Sequence, residues 1–244
     1  MIPTALSDPA YHDDEAARKH LEAIRWPNGA VCPLCGIADQ ARPLAGKSMG
    51  PGWYYCGACK GKFTVRTGSV MERSHIPLHK WLLGFRLFAS SKKGFSAHQL
   101  HRTLGITYKS AWFMAMRIRE AMMPTDSGPL GGPGVTVEAD ETFYGTADYQ
   151  FITGKGWRKK QGALREAAQD RHAWRLLLDP KRSMVGIYQH CDEKHLRRCL
   201  IEFDFRYSNR SALGIEDAER ASIAIKGAEG KRLTYRQPRS RKAG

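Results

Sequence analysis

The sequence predicts an α+β protein in which a small β module precedes a mostly helical region. Two C-x-x-C pairs, Cys32/Cys35 and Cys56/Cys59, are separated by residues 36–55, and strand-forming runs flank the second pair (53–55 and 63–65). Farther along the chain, apolar residues recur at the spacing of helix faces. With 244 residues, the chain is long enough for two domains or for one domain with an appendage.

The spacing of the two cysteine pairs is typical of a four-thiolate zinc ribbon. Two disulfides are the alternative, but the N-terminus has no basic-then-apolar signal peptide, and this favours structural zinc. Gly36 and Gly57 are expected to supply left-handed backbone in the two knuckles. Cys191 and Cys199 lie far away and are interpreted as small apolar fillers. The predicted zinc ligands are Cys32, Cys35, Cys56 and Cys59.

Charge indicates the class of partner. The formal net charge is +15, and basic residues are spread along most of the chain. Each Lys or Arg that contacts a phosphate releases condensed counterions, so this charge favours nucleic acid as partner. A basic protein without such a partner is the alternative. No apolar run approaches a membrane span, and we expect a cytoplasmic protein.

Two helices are predicted around the ribbon. Residues 14–25 have Asp14 as a possible N-cap and end before Pro27. Pro77 opens a second helical segment at 78–90, in which Trp81, Leu82, Phe85 and Phe88 recur at helical spacing.

A pair of short helices follows. Ser96 and Gln99 have the spacing of a capping box, Gly105 is placed to end the first helix, and Thr107 can cap the second. This pattern predicts a helix-turn-helix whose second helix enters the DNA major groove, although a helical hairpin within a core would read similarly. The predicted DNA contacts are Thr107, Tyr108, Lys109 and Ser110 in the groove and Arg117 and Arg119 on phosphate.

The second half of the chain is harder to interpret. Residues 124–134 are rich in Pro and Gly and indicate a linker, after which 135–145 reads as a strand carrying Glu138 and Asp140 on one face and Glu141 on the other. From the residues alone, these acids are either metal ligands or a polar face of the strand, and the polar face is favoured. A short strand is predicted at 150–153, a basic turn at 156–161, and helices at 163–178 and 192–207, with Leu196, Leu200, Phe203 and Tyr207 at helical spacing. For the basic tail at 211–244, DNA contact and solvation are both open from the composition, and solvation is the simpler expectation.

Several long motifs together resemble a known family. They include R-W-P-N-G-A-V-C-P-L-C-G (25–36), S-K-K-G-F-S-A-H-Q-L (91–100) and V-E-A-D-E-T-F-Y-G (137–145). The order of parts is similar to bacterial insertion-sequence transposases with an N-terminal zinc ribbon, a helix-turn-helix and a DDE-type, RNase H-like catalytic domain. The resemblance implies that Asp140 matches the first catalytic aspartate and that magnesium is the catalytic metal. It also implies double-stranded DNA at the inverted-repeat ends of the element as partner, a homo-oligomer on that DNA, and a place at the bacterial nucleoid.

The resemblance breaks in the catalytic centre. The family's second acid, in a T-D-E-like motif, and its later H-T-N-x-x-E-like motif have no counterpart between Gly145 and Gly186. Two magnesium ions need about three ligands, so the site is expected to be incomplete. We interpret the chain as internally deleted, which full-length genomic sequence encoding both motifs would contradict. Whether it is an enzyme, a non-catalytic DNA-binding protein or a non-functional remnant stays open.

The sequence predicts six segments. They are 1–27 N-terminal helix, 28–66 ribbon, 67–123 helix-turn-helix region, 124–134 linker, 135–210 truncated catalytic domain with a remnant of the α/β sheet and C-terminal helices, and 211–244 tail.

Overall fold

The structure, a computed structural model, describes residues 7–44, 49–124, 187 and 193–233, and the backbone of two strands between 148 and 160. In chain order, the elements are α1 (Asp14–Arg25), β1 (Ala41–Pro43), β2 (Trp53–Cys56), β3 (Lys62–Thr64), α2 (Leu78–Ser90), α3 (Ala97–Leu104), α4 (Tyr108–Met122), β4 (Asp148–Ile152), β5 (Gly156–Lys160), α5 (Glu193–Ser208) and α6 (Asp217–Lys226). Short 3-10 turns precede α1 at Pro9–Tyr11 and α6 at Ser211–Leu213. The mixture of helices with a small antiparallel sheet agrees with the predicted α+β class.

Helix α1 has the predicted bounds but a different cap. The side chain of Asp13, rather than Asp14, accepts a hydrogen bond from the N–H of Ala16. Asp14 lies in the first turn and accepts from both the backbone N–H and the ring of His79. Either aspartate satisfies the sequence rule for an N-cap, and only the path of the entering chain decides between them.

The ribbon sheet has the order β1-β2-β3, with both pairs antiparallel. On its inner face, Tyr54 and Phe63 are register partners and stack with ring centroids 5.5 Å apart. Trp26, at the end of α1, meets both rings edge-on at 5.4 and 5.8 Å. These three aromatic rings fix the sheet against α1, so the N-terminal helix and the ribbon share one core.

The helices carry most of the core. Trp81, Phe85 and Phe88 of α2 are fully buried, as the helical spacing predicted, and so are Met114 and Ile118 of α4. Gly84 lets the two helices approach, because a Cβ at this position would lie 2.5 Å from Met114 Cε. The buried cluster is continuous from Leu21 and Phe63 to these helices.

The C-terminal helices pack back onto this core. Helix α5 contacts α4, and α6 contacts α1, α2 and α4. Arg220 of α6 is buried and donates to the carbonyl of Ala89 at the end of α2, at 2.9 Å. Lys231 donates to the carbonyls of Ala121 and Met123 at the end of α4. Residues 211–233 are therefore folded, and the predicted solvated tail at 211–244 is wrong for this part.

The segment between the helical regions is described only at two strands. β4 and β5 pair as an antiparallel hairpin with Gln150 opposite Arg158. The predicted strand at 150–153 is confirmed for 150–152, which belong to β4, whereas the predicted turn at 156–161 is wrong, since 156–160 forms β5. The predictions for the linker after residue 124, for Glu138, Asp140 and Glu141, for the helix at 163–178 and for Cys191 lie outside the described residues.

Helix α5 confirms the helix predicted at 192–207 to within one residue at each end. Leu196 and Phe203 are buried as predicted, while Leu200 and Tyr207 are half-buried. No helix in the described ranges combines the length and the apolar character that crossing a bilayer requires.

Candidate metal centre and nucleic-acid surface

The four predicted ligands meet at one point. The Sγ atoms of Cys32 and Cys59 are 3.6 Å apart, as are those of Cys35 and Cys56, and all four lie within 4.8 Å of one another. Four sulfur ligands in a tetrahedron, each about 2.3 Å from a central zinc ion, lie about 3.8 Å from one another. None of the four is in a disulfide. Both the donor set and its spacing therefore fit structural zinc.

Backbone conformation shapes both knuckles. Gly36, directly after the first pair, has φ 77°, as predicted. In the second knuckle the left-handed residue is Lys60, with φ 57°, and not Gly57. The left-handed position is thus the residue after the second cysteine of each pair. The prediction for Gly57 was wrong because the sequence shows where a glycine stands but not where the chain must turn.

The electrostatics of the cluster suit a cation. The N–H of Cys59 is the largest influence that lowers the pKa of the Cys56 thiol, to about 7. The N–H of Ile37 acts to lower the pKa of Cys35, but loss of hydration and the neighbouring thiols raise it to about 12. Thiols this close cannot all ionise side by side unless a cation offsets their charge. Zinc supplies that charge and holds the two knuckles together.

The paired helices α3 and α4 have the predicted local signals. Ser96 and Gln99 form a reciprocal capping box at the start of α3, and Gly105 ends that helix in the left-handed conformation, with φ 58°. The side chain of Thr107 accepts from the N–H of Ser110 at the start of α4. Leu100, Leu104 and Ala111 are buried between the helices and the core.

The first turn of α4 is on the surface. Thr107, Tyr108 and Lys109 are exposed, and Ser110 is half-buried and hydrogen-bonded to Thr107. The ring of His98 on α3 stacks on Tyr108 with centroids 4.3 Å apart. Arg102, one turn after His98, is also exposed. Sequence reasoning missed His98 and Arg102, although their i, i+4 spacing on α3 is visible in the sequence.

Two of the predicted phosphate contacts are inside the protein. Arg117 is 7% exposed, donates to the carbonyl of Glu72 at 3.1 Å, and stacks its guanidinium on Phe113. Arg119 is 2% exposed and donates to Glu202 at 2.8 Å. Every residue from 114 to 119 is buried, so α4 is a core helix beyond its second turn. The expectation that these arginines lie on the DNA-facing surface is therefore corrected.

The arginine misassignment has a physical cause. An arginine on a helix is usually solvated, and its burial here requires partners from distant parts of the chain. The same carboxylate of Glu202 accepts from the N–H of Phe95, and Arg119 also donates to the Phe95 carbonyl. No motif in the sequence marks this network, whose members are 24 to 107 residues apart.

The four cysteines form the one group of three or more potential metal ligands found in the described residues. Asp140, the predicted magnesium ligand, lies outside them. Cys199 on α5 is buried and is in no disulfide, in agreement with its predicted role as a filler.

Comparison with known proteins places the ribbon in context. Residues 12–62 match the family model described as a transposase zinc-ribbon domain. The match starts before α1 and includes the four cysteines, which agrees with the shared core of α1 and the sheet. Four cysteines in this arrangement within such a domain support structural zinc.

A similar protein is also named for a transposable element. The chain is 31% identical over 131 residues to a protein of Halobacterium salinarum named "Uncharacterized protein in transposable element ISH50". The match covers 54% of this chain and 42% of that protein, so the chain spans less than half the length of the relative. No solved structure matches. Together, the domain and the relative support a transposase-related protein.

Proposed function

We propose that this protein binds double-stranded DNA at the ends of an insertion element, with α3 and α4 acting as a helix-turn-helix. The observation that carries the proposal is the exposed first turn of α4, in which Thr107 caps the helix and Tyr108 and Lys109 face solvent. The similarity to a transposase zinc-ribbon domain and the strongly basic chain support DNA as the partner.

Only the start of α4 is available to a DNA groove. The buried run from 114 onward leaves the residues of the first turn, which is the part of a recognition helix that contacts base edges in this motif. The N–H of Ser110 is taken by the Thr107 cap, but those of Tyr108 and Lys109 have no intrahelical acceptor and favour a phosphate oxygen or a base acceptor. Lys109 adds a positive charge at the same end.

Because Arg117 and Arg119 are buried, the phosphate contact is assigned instead to a residue of α3. Arg102 lies on the same side of α3 as His98, which stacks on Tyr108, so its guanidinium is on the surface beside the first turn of α4. We propose Lys109 and Arg102 as the main charged contacts, with Thr107, Tyr108 and Ser110 on the base edges. The zinc centre has a structural role in this proposal, because it folds the ribbon that packs beside α1.

Binding is tested with the full-length, zinc-loaded chain and a labelled duplex carrying the element's inverted repeat. We expect Lys109→Ala and Arg102→Ala each to weaken binding and to reduce the steepness of the log–log salt dependence by about 0.9. Lys19→Ala, an exposed lysine on α1, is the matched control and should change neither. An affinity that does not respond to salt, or an equal loss in Lys19→Ala, would contradict the proposal.

We further propose that the protein does not cut DNA. This part rests on the sequence, where Asp140 has no acidic partners in the family motifs between Gly145 and Gly186. The assay is strand cleavage of the same duplex with magnesium, with Asp140→Ala as control. Cleavage that disappears in Asp140→Ala would overturn this part and leave the binding proposal standing.

A further inference from the structure

A second surface lies on the outer face of the ribbon sheet, away from Tyr54, Phe63 and Trp26. In the register of the sheet, Arg42 on β1 is opposite Tyr55 on β2, and Tyr55 is opposite Lys62 on β3. Side chains of directly opposite residues point to the same face. Tyr55 and its two basic neighbours therefore form a row across all three strands, on the face opposite the aromatic core.

A second aromatic ring belongs to this face. Trp53 is two residues before Tyr55 on β2, so strand alternation places it on the same side. It is 36% exposed, although burial of a tryptophan is strongly favourable. The guanidinium of Arg42 lies 5.1 Å from the centre of the Tyr55 ring, while Lys62 is exposed. On the outer face, Tyr55 thus lies between two cations, and Trp53 is the next residue along β2 on the same side.

Charge restricts the partner of this face to an anion. None of the residues in β1, β2 and β3 is acidic, and within the described residues neither Arg42 nor Lys62 is in an ion pair. A phosphodiester chain supplies regularly spaced negative charge and flat bases together. Aromatic side chains next to cations are the pattern by which proteins bind single-stranded nucleic acid.

The spacing of the rings favours a single strand over a duplex. Residues two apart on a strand are separated by about 6.7 Å. Bases in a duplex are stacked about 3.4 Å apart and covered on both faces, so a duplex could use the cations but not the rings. Bases of a single strand can separate and each lie on its own ring.

We propose that Arg42, Trp53, Tyr55 and Lys62 form a binding face for single-stranded DNA. Trp53 and Tyr55 stack on two bases, and Arg42 and Lys62 hold the adjoining phosphates. This face is separate from the duplex contact of α3 and α4, and either proposal can fail without the other.

The rings are tested by fluorescence anisotropy of a labelled thymidine oligonucleotide with the full-length, zinc-loaded chain. Trp53→Leu keeps an apolar side chain but removes the ring, and we expect it to weaken binding by about tenfold. Trp53→Phe keeps a π-face and should retain most of the affinity. Zinc content measured on each variant confirms that the ribbon is folded.

The cations are tested by the double variant Arg42→Ala/Lys62→Ala. Its binding should weaken, and the steepness of its salt dependence should fall by about 1.4, as expected for two lost contacts to a single strand. The control is Lys19→Ala/Lys226→Ala, which removes two exposed charges from helices. Equal losses in both double variants would mean general charge attraction and would overturn the proposal.

The two DNA proposals predict opposite effects of their variants on single-strand and duplex binding. Trp53→Leu should reduce binding to the oligonucleotide and leave duplex binding unchanged, whereas Lys109→Ala should do the reverse. If Trp53→Leu binds the oligonucleotide as well as the unchanged protein does, the single-strand face is wrong, whatever the duplex result. If Trp53→Leu weakens only duplex binding, the outer face of the ribbon sheet belongs to the duplex site instead.

Discussion

The ribbon and the helical region of this protein are stabilised in different ways. The three ribbon strands have three or four residues each, and their core is a few aromatic rings beside four thiols. The helices bury Trp81, Phe85, Phe88 and Met114 completely and enclose an ion pair. A module as small as the ribbon needs a metal to fold, whereas the helices have enough apolar contact of their own.

The two regions nevertheless share contacts. Arg25 of α1 is buried, donates to the carbonyl of Val65 just after β3, and pairs with Glu229 at 3.1 Å. Ser69 and Glu229 form a β-bridge, so the end of the described chain touches the segment that follows the ribbon. The difference in stabilisation is therefore a matter of degree, and the following experiments measure it.

Loss of zinc should have the largest effect. Structural zinc contributes about 10–16 kcal/mol of apparent binding free energy in small modules, and that energy is also folding energy. We expect Cys56→Ser, or a chelator, to remove the metal and to abolish hydrogen-exchange protection across 28–66 while α2 and α4 stay protected.

A matched control for the zinc experiment is Cys199→Ser. This thiol is buried in α5, away from the four ligands, so the variant should retain its zinc and the protection of the ribbon. If α2 and α4 lose protection together with the ribbon in Cys56→Ser, the two regions form one cooperative unit. The ribbon and the helices would then not be stabilised in different ways.

The buried ion pair should give the next largest effect. Glu202 and Arg119 are 0% and 2% exposed at their side chains. Glu202→Leu leaves the guanidinium buried without its carboxylate, which costs about 3–5 kcal/mol of unfolding free energy. Urea unfolding measures this loss, and Arg119→Met added to Glu202→Leu should recover part of it. Recovery is incomplete because Arg206, whose guanidinium is 3.8 Å from the same carboxylate, keeps its charge in a largely buried position.

The comparison for this pair is Glu120 and Arg198, which also join α4 to α5 but are 22% and 26% exposed. Solvent screens this pair, so Glu120→Leu should cost less than about 1 kcal/mol. Similar losses in Glu120→Leu and Glu202→Leu would mean that burial does not set the value of these contacts.

The packing of α6 gives an intermediate effect. A Cβ on Gly227 would lie 2.4 Å from the carbonyl oxygen of Ala121, which is backbone and cannot rotate away. Gly227→Ala should therefore separate α6 from α4 and lower the unfolding free energy by about 1–3 kcal/mol. Gly50→Ala, with open space around its Cβ, is the control. Equal urea midpoints would show that the C-terminal helices are not part of the helical core.

The features that the sequence predicted are local ones. Each C-x-x-C pair, the capping box at Ser96 and the glycine at 105 act within a few residues, and each is found where it was expected. The burial of Arg117 and Arg119 and the folding of 211–233 depend on contacts between distant segments. A basic residue or a basic tail looks solvated in a sequence whether or not a distant carboxylate or carbonyl accepts from it.

The smallest effect should come from the cap of α3, where local and distant contacts compete. Ser96 accepts from the N–H of Gln99 at 3.2 Å, and the Gln99 side chain accepts from the N–H of Ser96 at 3.1 Å. Ser96→Ala removes one half of this box and should lower the unfolding free energy by about 1 kcal/mol. Ser222→Ala, in the interior of α6, removes a hydroxyl that donates to the Ala218 carbonyl and caps no helix, so it should be close to neutral. If both variants have the same urea midpoint, the burial of Leu100 and Leu104 sets the start of α3, and the helices depend on tertiary packing even where the sequence carries a complete local signal.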